Sequence, residues 1–166
     1  MGVPIGLDRV ASGGILHHLK PSWNSKDISK QTKIKVYESL VLSVLLYNSE
    51  TWTLNAISAQ RLKSFEMTCL RKIEGVIRRD RLRNTVVQER LGLTKDIIAR
   101  IQQRQLQYFG HVIRMDQGRY PKLALEGYVH GKRNRGRPKR RWLDGIKEDL
   151  VSLNMTIQEA TRTEQD

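Results

Sequence analysis

Residues 33–47 read KIKVYESLVLSVLLY, and this stretch decides the fold. It is too long for one strand, and Lys35, Glu38, Ser39 and Ser43 leave only a thin polar stripe around it, the pattern of a helix buried on most of its circumference. Ser29 stands where an N-cap is needed, so the sequence predicts a central helix over Lys30 to Tyr47. Its longest apolar run, Leu40 to Tyr47, is broken by Ser43 and falls far short of the roughly 20 residues that span a bilayer.

Upstream, Val10, Ile15, Leu16 and Leu19 sketch a first helix. Gly13 and Gly14 lie inside it at about 1 kcal/mol each relative to Ala, and Pro21 is expected to end it near Trp23. Downstream, Glu50 and Trp52 sit in a short connection ending near Asn55. From Ser58, residues Leu62, Phe65, Cys69, Leu70, Ile73 and Val76 recur at three and four, which predicts an amphipathic helix with Arg61, Lys63, Arg71 and Lys72 outward and Gly75 in its last turn. Arg78, Arg79, Arg81 and Arg83 then form a basic cluster in a loop, and Thr85 with Gln88 suggests a capping box for a short helix stopped by Gly92.

The segment from Thr94 to Met115 predicts a helix whose faces differ in kind. Arg100, Arg104, Gln107, His111 and Arg114 fall on a narrow polar ridge, while Ile97, Ile98, Ile101, Tyr108, Phe109, Val112 and Met115 take the opposing arc. Such a ridge can lie along a phosphate backbone, or it can be a solvated face. Pro121 begins a helical turn to Glu126. Trp142, Ile146, Leu150 and Leu153 define a further amphipathic helix, and Thr156 with Glu159 a capping box for a last one. No strand pattern or internal repeat competes, so the expected fold class is all-α: an irregular helical bundle with a basic extended loop between the last long helices. The expected parts are 1–55 with the central apolar helix, 56–127 amphipathic helices, 128–141 basic loop, and 142–166 C-terminal helices with an acidic tail.

That loop, GKRNRGRPKRRW over residues 131–142, carries Lys132, Arg133, Arg135, Arg137, Lys139, Arg140 and Arg141. A core cannot bury so many unpaired charges, so the segment lies in water or against a polyanion. Gly136 keeps the backbone slim, and Pro138 bars a helix through the tetrad Arg135 to Pro138. The tetrad resembles the core of an AT-hook, whose arginines lie in an A·T minor groove. A general phosphate-binding loop and a solvated linker or nuclear-import patch are the other readings.

Composition narrows the function. The 166 residues, 39% hydrophobic, suit one modest helical domain, or one domain with a tail, and net charge is +13. The excess is +5 over 1–80, +5 over 81–120 and +6 over 121–145, reversing to −3 only over 146–166, a spread that favours a long polyanion over a point ligand. A lone cysteine, Cys69, excludes an internal disulfide and any two-thiolate metal site, and is expected to be a buried thiol. No secretion signal is visible, so an intracellular location is expected, nuclear if the chain is expressed, with no membrane partner. Histidines 17, 18, 111 and 130 lack metal-ligand spacing, and Asp144, Glu148 and Asp149 are acids of a kind usually solvated, so neither a metal site nor a catalytic residue is expected. No phosphate-binding or dinucleotide-binding glycine motif and no nucleophile elbow occurs.

Three stretches in order, LLYNSETW (45–52), YFGHVIRM (108–115) and RGRPKRRW (135–142), resemble the C-terminal region of the endonuclease–reverse transcriptase of non-LTR, LINE-type (RTE-like) retrotransposons, after the polymerase palm. The resemblance runs from about Ile28 to Leu153. It implies a thumb that grips a template–primer duplex, with Tyr47, Glu50 and Trp52 as structural anchors, Gly110 letting the His111 ridge approach nucleic acid, and Arg135 to Arg141 as a basic arm. Asn48 stands where that family usually has glycine. The palm aspartates that hold two metal ions are absent, so the resemblance implies a nucleic-acid-binding fragment without polymerase or endonuclease activity of its own. Its partners would be DNA, RNA or an RNA–DNA hybrid, and the upstream palm of the same polyprotein. It needs no cofactor, magnesium belonging to the missing catalytic domains. An AT-hook chromatin protein and a protein-interaction fragment are the alternatives.

Overall fold

A computed structural model of the chain describes residues 14–126, Gly136 and residues 140–163, and these form an all-α fold with no strand among the described residues. The helices are α1 Ile15–Asn24, α2 Lys30–Val36, α3 Ala56–Glu74, α4 Asn84–Arg90, α5 Ile97–Ile113, α6 Tyr120–Glu126, α7 Trp142–Ser152 and α8 Ile157–Thr163. They sort into two compact units. One holds the chain up to Asn48 with Asn55–Arg100, and the other Ser49–Leu54 with the chain from Ile101.

In the first unit the opening helix differs from the expectation. Gly14 precedes it with φ +73, and the helix runs through Pro21 to Asn24. Its end is held by the neighbouring helix: the Lys33 ammonium donates to Trp23 O and Ser25 O, both at 2.7 Å, and Trp23 is buried. Residues 1–13, including Val10 and Gly13, lie outside the described residues.

Ser29 caps α2 as its position predicts, its Oγ accepting the Thr32 N–H at 3.1 Å. The central helix is not uniform, however. After Val36 it widens into a π-helix over Tyr37–Leu42 and regains α geometry over Ser43–Leu45. Tyr37, Val41, Leu42, Leu45 and Leu46 are buried, each burial contributing about 1.5–3 kcal/mol, while Leu40 is left half exposed. Tyr47 is 73% exposed and Asn48 takes φ +59, so Tyr47 is not an internal anchor of this fold.

α3 begins with the Asn55 side chain accepting the Ser58 N–H at 2.8 Å. It buries Leu62, Met67, Cys69, Leu70 and Ile73, and packs against α1, α2 and α4. Burial pushes the Cys69 thiol up to about 12. Gly75 stops the helix with φ +81, a left-handed conformation that costs an L side chain about 1–2 kcal/mol, and the N–H groups of Gly75 and Val76 both return to Arg71 O. α4 starts two residues earlier than the Thr85 capping box required. Asn84 is its first residue, and the Asn84 Oδ1 accepts from Arg71 Nη2 at 3.0 Å. α5 is capped by Asp96 rather than Thr94, its carboxylate accepting the Ala99 N–H at 2.8 Å.

In the second unit Phe109, Ile113, Ile146, Leu150 and Ala160 form the core, edged by Leu106, Leu125, Trp142, Leu143, Met155 and Ile157. The Thr156–Glu159 box closes as predicted: Thr156 N–H donates to the glutamate at 2.7 Å, and Glu159 N–H to Thr156 Oγ1 at 3.2 Å. That bonding holds the Glu159 carboxyl below its ordinary pKa. Lys122, almost wholly buried, donates to Ile113 O at 2.6 Å and pairs with Glu126 at 3.4 Å. None of the described helices is long and apolar enough to cross a membrane.

Candidate nucleic-acid interface

The two-faced pattern of α5 survives folding, with one exception. Arg104, Gln107, His111 and Arg114 are exposed, whereas Ile101, Phe109, Val112 and Ile113 are buried. Gln105 also faces inward, a position that periodicity alone did not mark. It is buried because the segment 49–54 needs a donor there: Gln105 Nε2 reaches Trp52 O at 2.7 Å and Ser49 O at 3.4 Å. Arg100 leaves the ridge. It lies in the first unit, where Nη2 bonds the Glu38 carboxylate at 2.8 Å and Nε is buried without a hydrogen bond.

Gly110 is buried, so the absence of a side chain there faces the packed side of α5 and not the ridge. Glu50 anchors through its backbone, its carbonyl accepting the Trp142 indole N–H at 2.7 Å. The Trp142 ring meets Tyr108 edge-on, with centroids 6.0 Å apart, and lies 6.4 Å from Phe109. This sets the start of α7, and with it the end of the basic segment, against α5.

Of that segment, Gly136, Arg140 and Arg141 are described. Gly136 has φ +120, a backbone state L side chains rarely adopt, and nothing stands within 4 Å of where a Cβ would be. Arg140 Nη2 pairs with Glu148 at 2.7 Å with both side chains substantially exposed, a contact worth under about 1 kcal/mol and easily exchanged for a phosphate. Arg141 is exposed, and its N–H is bonded to Asp144 at 2.8 Å. Lys132, Arg133, Arg135, Arg137, Pro138 and Lys139 lie outside the described residues.

The three acids of α7 are all engaged. Asp144 caps the helix, Glu148 pairs with Arg140, and Asp149 accepts from Gln102 Nε2 at 2.7 Å, with burial raising the Asp149 pKa. The second unit thus offers a row of polar and cationic groups on α5 and arginines leading into α7, an arrangement that can hold an anion by charge and hydrogen bonding.

A family model for a domain of unknown function, DUF6451, matches residues 16–47, the segment of α1 and the central helix. The chain is also similar to a transposon-derived protein of Caenorhabditis elegans, itself uncharacterized, at 26% identity over 127 residues. The alignment covers 74% of this chain and 46% of that protein, so the chain spans about half of its relative's length. No solved structure matches. The similarity points to a transposon-related protein.

Proposed function

We propose that this chain is a nucleic-acid-binding helical module, the thumb and C-terminal arm of a retrotransposon reverse transcriptase, which grips template–primer or target DNA. Polymerase and endonuclease chemistry belong, in this reading, to other parts of the same polyprotein. The observation that carries it is the row Arg104, Gln107, His111 and Arg114, exposed on a helix whose opposite face is core, in a chain of net charge +13. The similarity to a transposon-derived protein supports it. Arg135, Arg137, Lys139, Arg140 and Arg141 add the basic arm that the sequence places just before α7.

The test is titration of a labelled RNA–DNA hybrid and a DNA duplex of equal length at several salt concentrations. Binding should weaken with salt at about −0.9 in log–log slope per phosphate met on duplex DNA. Arg135→Ala with Arg137→Ala should reduce both affinity and slope, and hybrid should be preferred over A·T-rich duplex. A flat salt dependence would overturn the proposal, and a strict A·T preference lost with those two arginines would replace it with an AT-hook protein.

A further inference from the structure

Gly75 does more than end α3. By reversing the chain it lays Val76, Ile77 and Arg78 beside the helix they have just left, and the segment leading into α4 is fastened opposite. The fastening is Arg71, whose Nη2 donates to Leu82 O at 2.7 Å and to Asn84 Oδ1 at 3.0 Å. Between these walls lies a groove of about 600 Å³, within the roughly 300–1,000 Å³ of small-ligand clefts.

The lining has two parts. Lys63, Arg71, Lys72 and Arg78 supply cations, while Val76 and Ile77 supply an apolar surface above the buried Met67, with Ile77 60% exposed on a turn where it gains nothing from solvent. Lys63 reaches Asp96 at 3.5 Å, but among the described residues no ion pair occupies Arg71, Lys72 or Arg78. The turn itself is fixed, since the Asp80 carboxylate accepts the Ile77 N–H at 2.8 Å.

Cations around an apolar floor match a ligand that is charged at regular intervals and apolar between them. A duplex keeps its bases stacked inside and would present only phosphates, leaving Val76 and Ile77 uncovered. An unpaired nucleotide offers a base face to the floor and a phosphate on either side to the cations. The amide of Asn84, whose oxygen is taken by Arg71, leaves a nitrogen donor for a base edge or sugar. We infer that the groove between α3 and residues 76–84 is a binding site for single-stranded polynucleotide, separate from the α5 ridge and the basic arm.

The experiment uses the full chain and fluorescein-labelled 12-nucleotide oligo-U and oligo-dT, followed by anisotropy near 0.15 M salt, where the screening length is about 8 Å. Lys72→Ala with Arg78→Ala should weaken single-strand binding at least tenfold and lower the salt slope by about 1.4, at about 0.7 per phosphate. Ile77→Ser should weaken the oligonucleotide without changing inorganic polyphosphate binding. Arg135→Ala with Arg137→Ala should lower duplex affinity more than single-strand affinity, and Lys72→Ala with Arg78→Ala should do the reverse, so loss of the duplex grip and loss of this site are read separately. The oligo-U and oligo-dT arms decide whether RNA or DNA is the better occupant. Irradiation of a 4-thiouridine oligonucleotide should attach it to peptides within residues 60–84, a readout independent of any variant. Unchanged affinity in Lys72→Ala/Arg78→Ala, attachment elsewhere, or equal displacement by polyphosphate or poly-glutamate would overturn the inference.

Discussion

The Trp142 indole donates its Nε1–H to the Glu50 carbonyl at 2.7 Å, across 92 residues of sequence. Glu50 therefore serves as an anchor with its main chain, and its carboxylate is incidental to that bond. Trp142→Phe keeps most of the ring packing against Tyr108 and Phe109 but strands the carbonyl, and should cost about 1–2 kcal/mol in urea unfolding. Glu50→Ala should stay within about 0.5 kcal/mol of the parent. Equal losses from the two changes would mean that the glutamate side chain matters after all.

Glu66 gives the first unit a pH dependence. Its carboxyl is buried, and burial pushes its pKa from 4.5 up to about 7, although the Ile97 N–H, 3.1 Å from Oε2, favours the charged form. The folded state thus holds this proton more tightly than the unfolded state. Its contribution is fully present below about 4.5 and is lost as pH rises to about 7, roughly 3 kcal/mol in all. Denaturation midpoints should fall from pH 5 to pH 7.5 in the parent and much less in Glu66→Gln, which keeps an acceptor for Ile97. Parallel pH profiles for the two chains would refute this.

Gly75→Ala tests the chain reversal after α3. The added methyl meets nothing within 4 Å, so the penalty is conformational, at φ +81, and should be about 1–2 kcal/mol by chemical denaturation. A stability gain, as expected for Ala in ordinary helix geometry, would show that the left-handed turn is not kept in solution.

Lys33 joins α1 to α2 by two short bonds from one ammonium. Lys33→Met retains the aliphatic stem and leaves Trp23 O and Ser25 O without that donor, which should cost about 2–4 kcal/mol in urea. It should also speed hydrogen exchange through Ile15–Asn24. Unaltered exchange there would place the stability of α1 elsewhere.

Local signals in the sequence translated well. Ser29 and the Thr156–Glu159 pair stand at helix starts because a short polar side chain satisfies an N–H that the helix itself cannot, and that chemistry is written within four residues, whereas the Asn55 cap was not singled out and the Thr85 box did not form. The π turn at Tyr37–Leu42 was not legible, since apolar residues on nearly every side do not fix which face turns inward. Nor was the passage of α1 through Pro21 to an end where Lys33 binds the Trp23 and Ser25 carbonyls. Buried Lys33, Gln105 and Lys122 all answer main-chain carbonyls beyond their own helical turn, 10, 53 and 9 residues away, for which a polar letter gives no warning. Of the ridge, Arg104, His111 and Arg114 could be read from period alone, whereas Arg100 was claimed by Glu38, 62 residues away. The groove beside α3 was hidden for the same reason. Lys63, Arg71 and Lys72 look like ordinary outward cations until Gly75 brings Arg78 back alongside them.

Lys33 and Lys122, with amines tucked against carbonyls, divide the lysines of this chain into two chemical populations. An acylating reagent applied to the native protein would modify solvent-facing amines within minutes and reach these two only when the structure around them opens. Because one belongs to each compact unit, mass spectra taken over time would record the opening of the two halves separately from a single untagged sample.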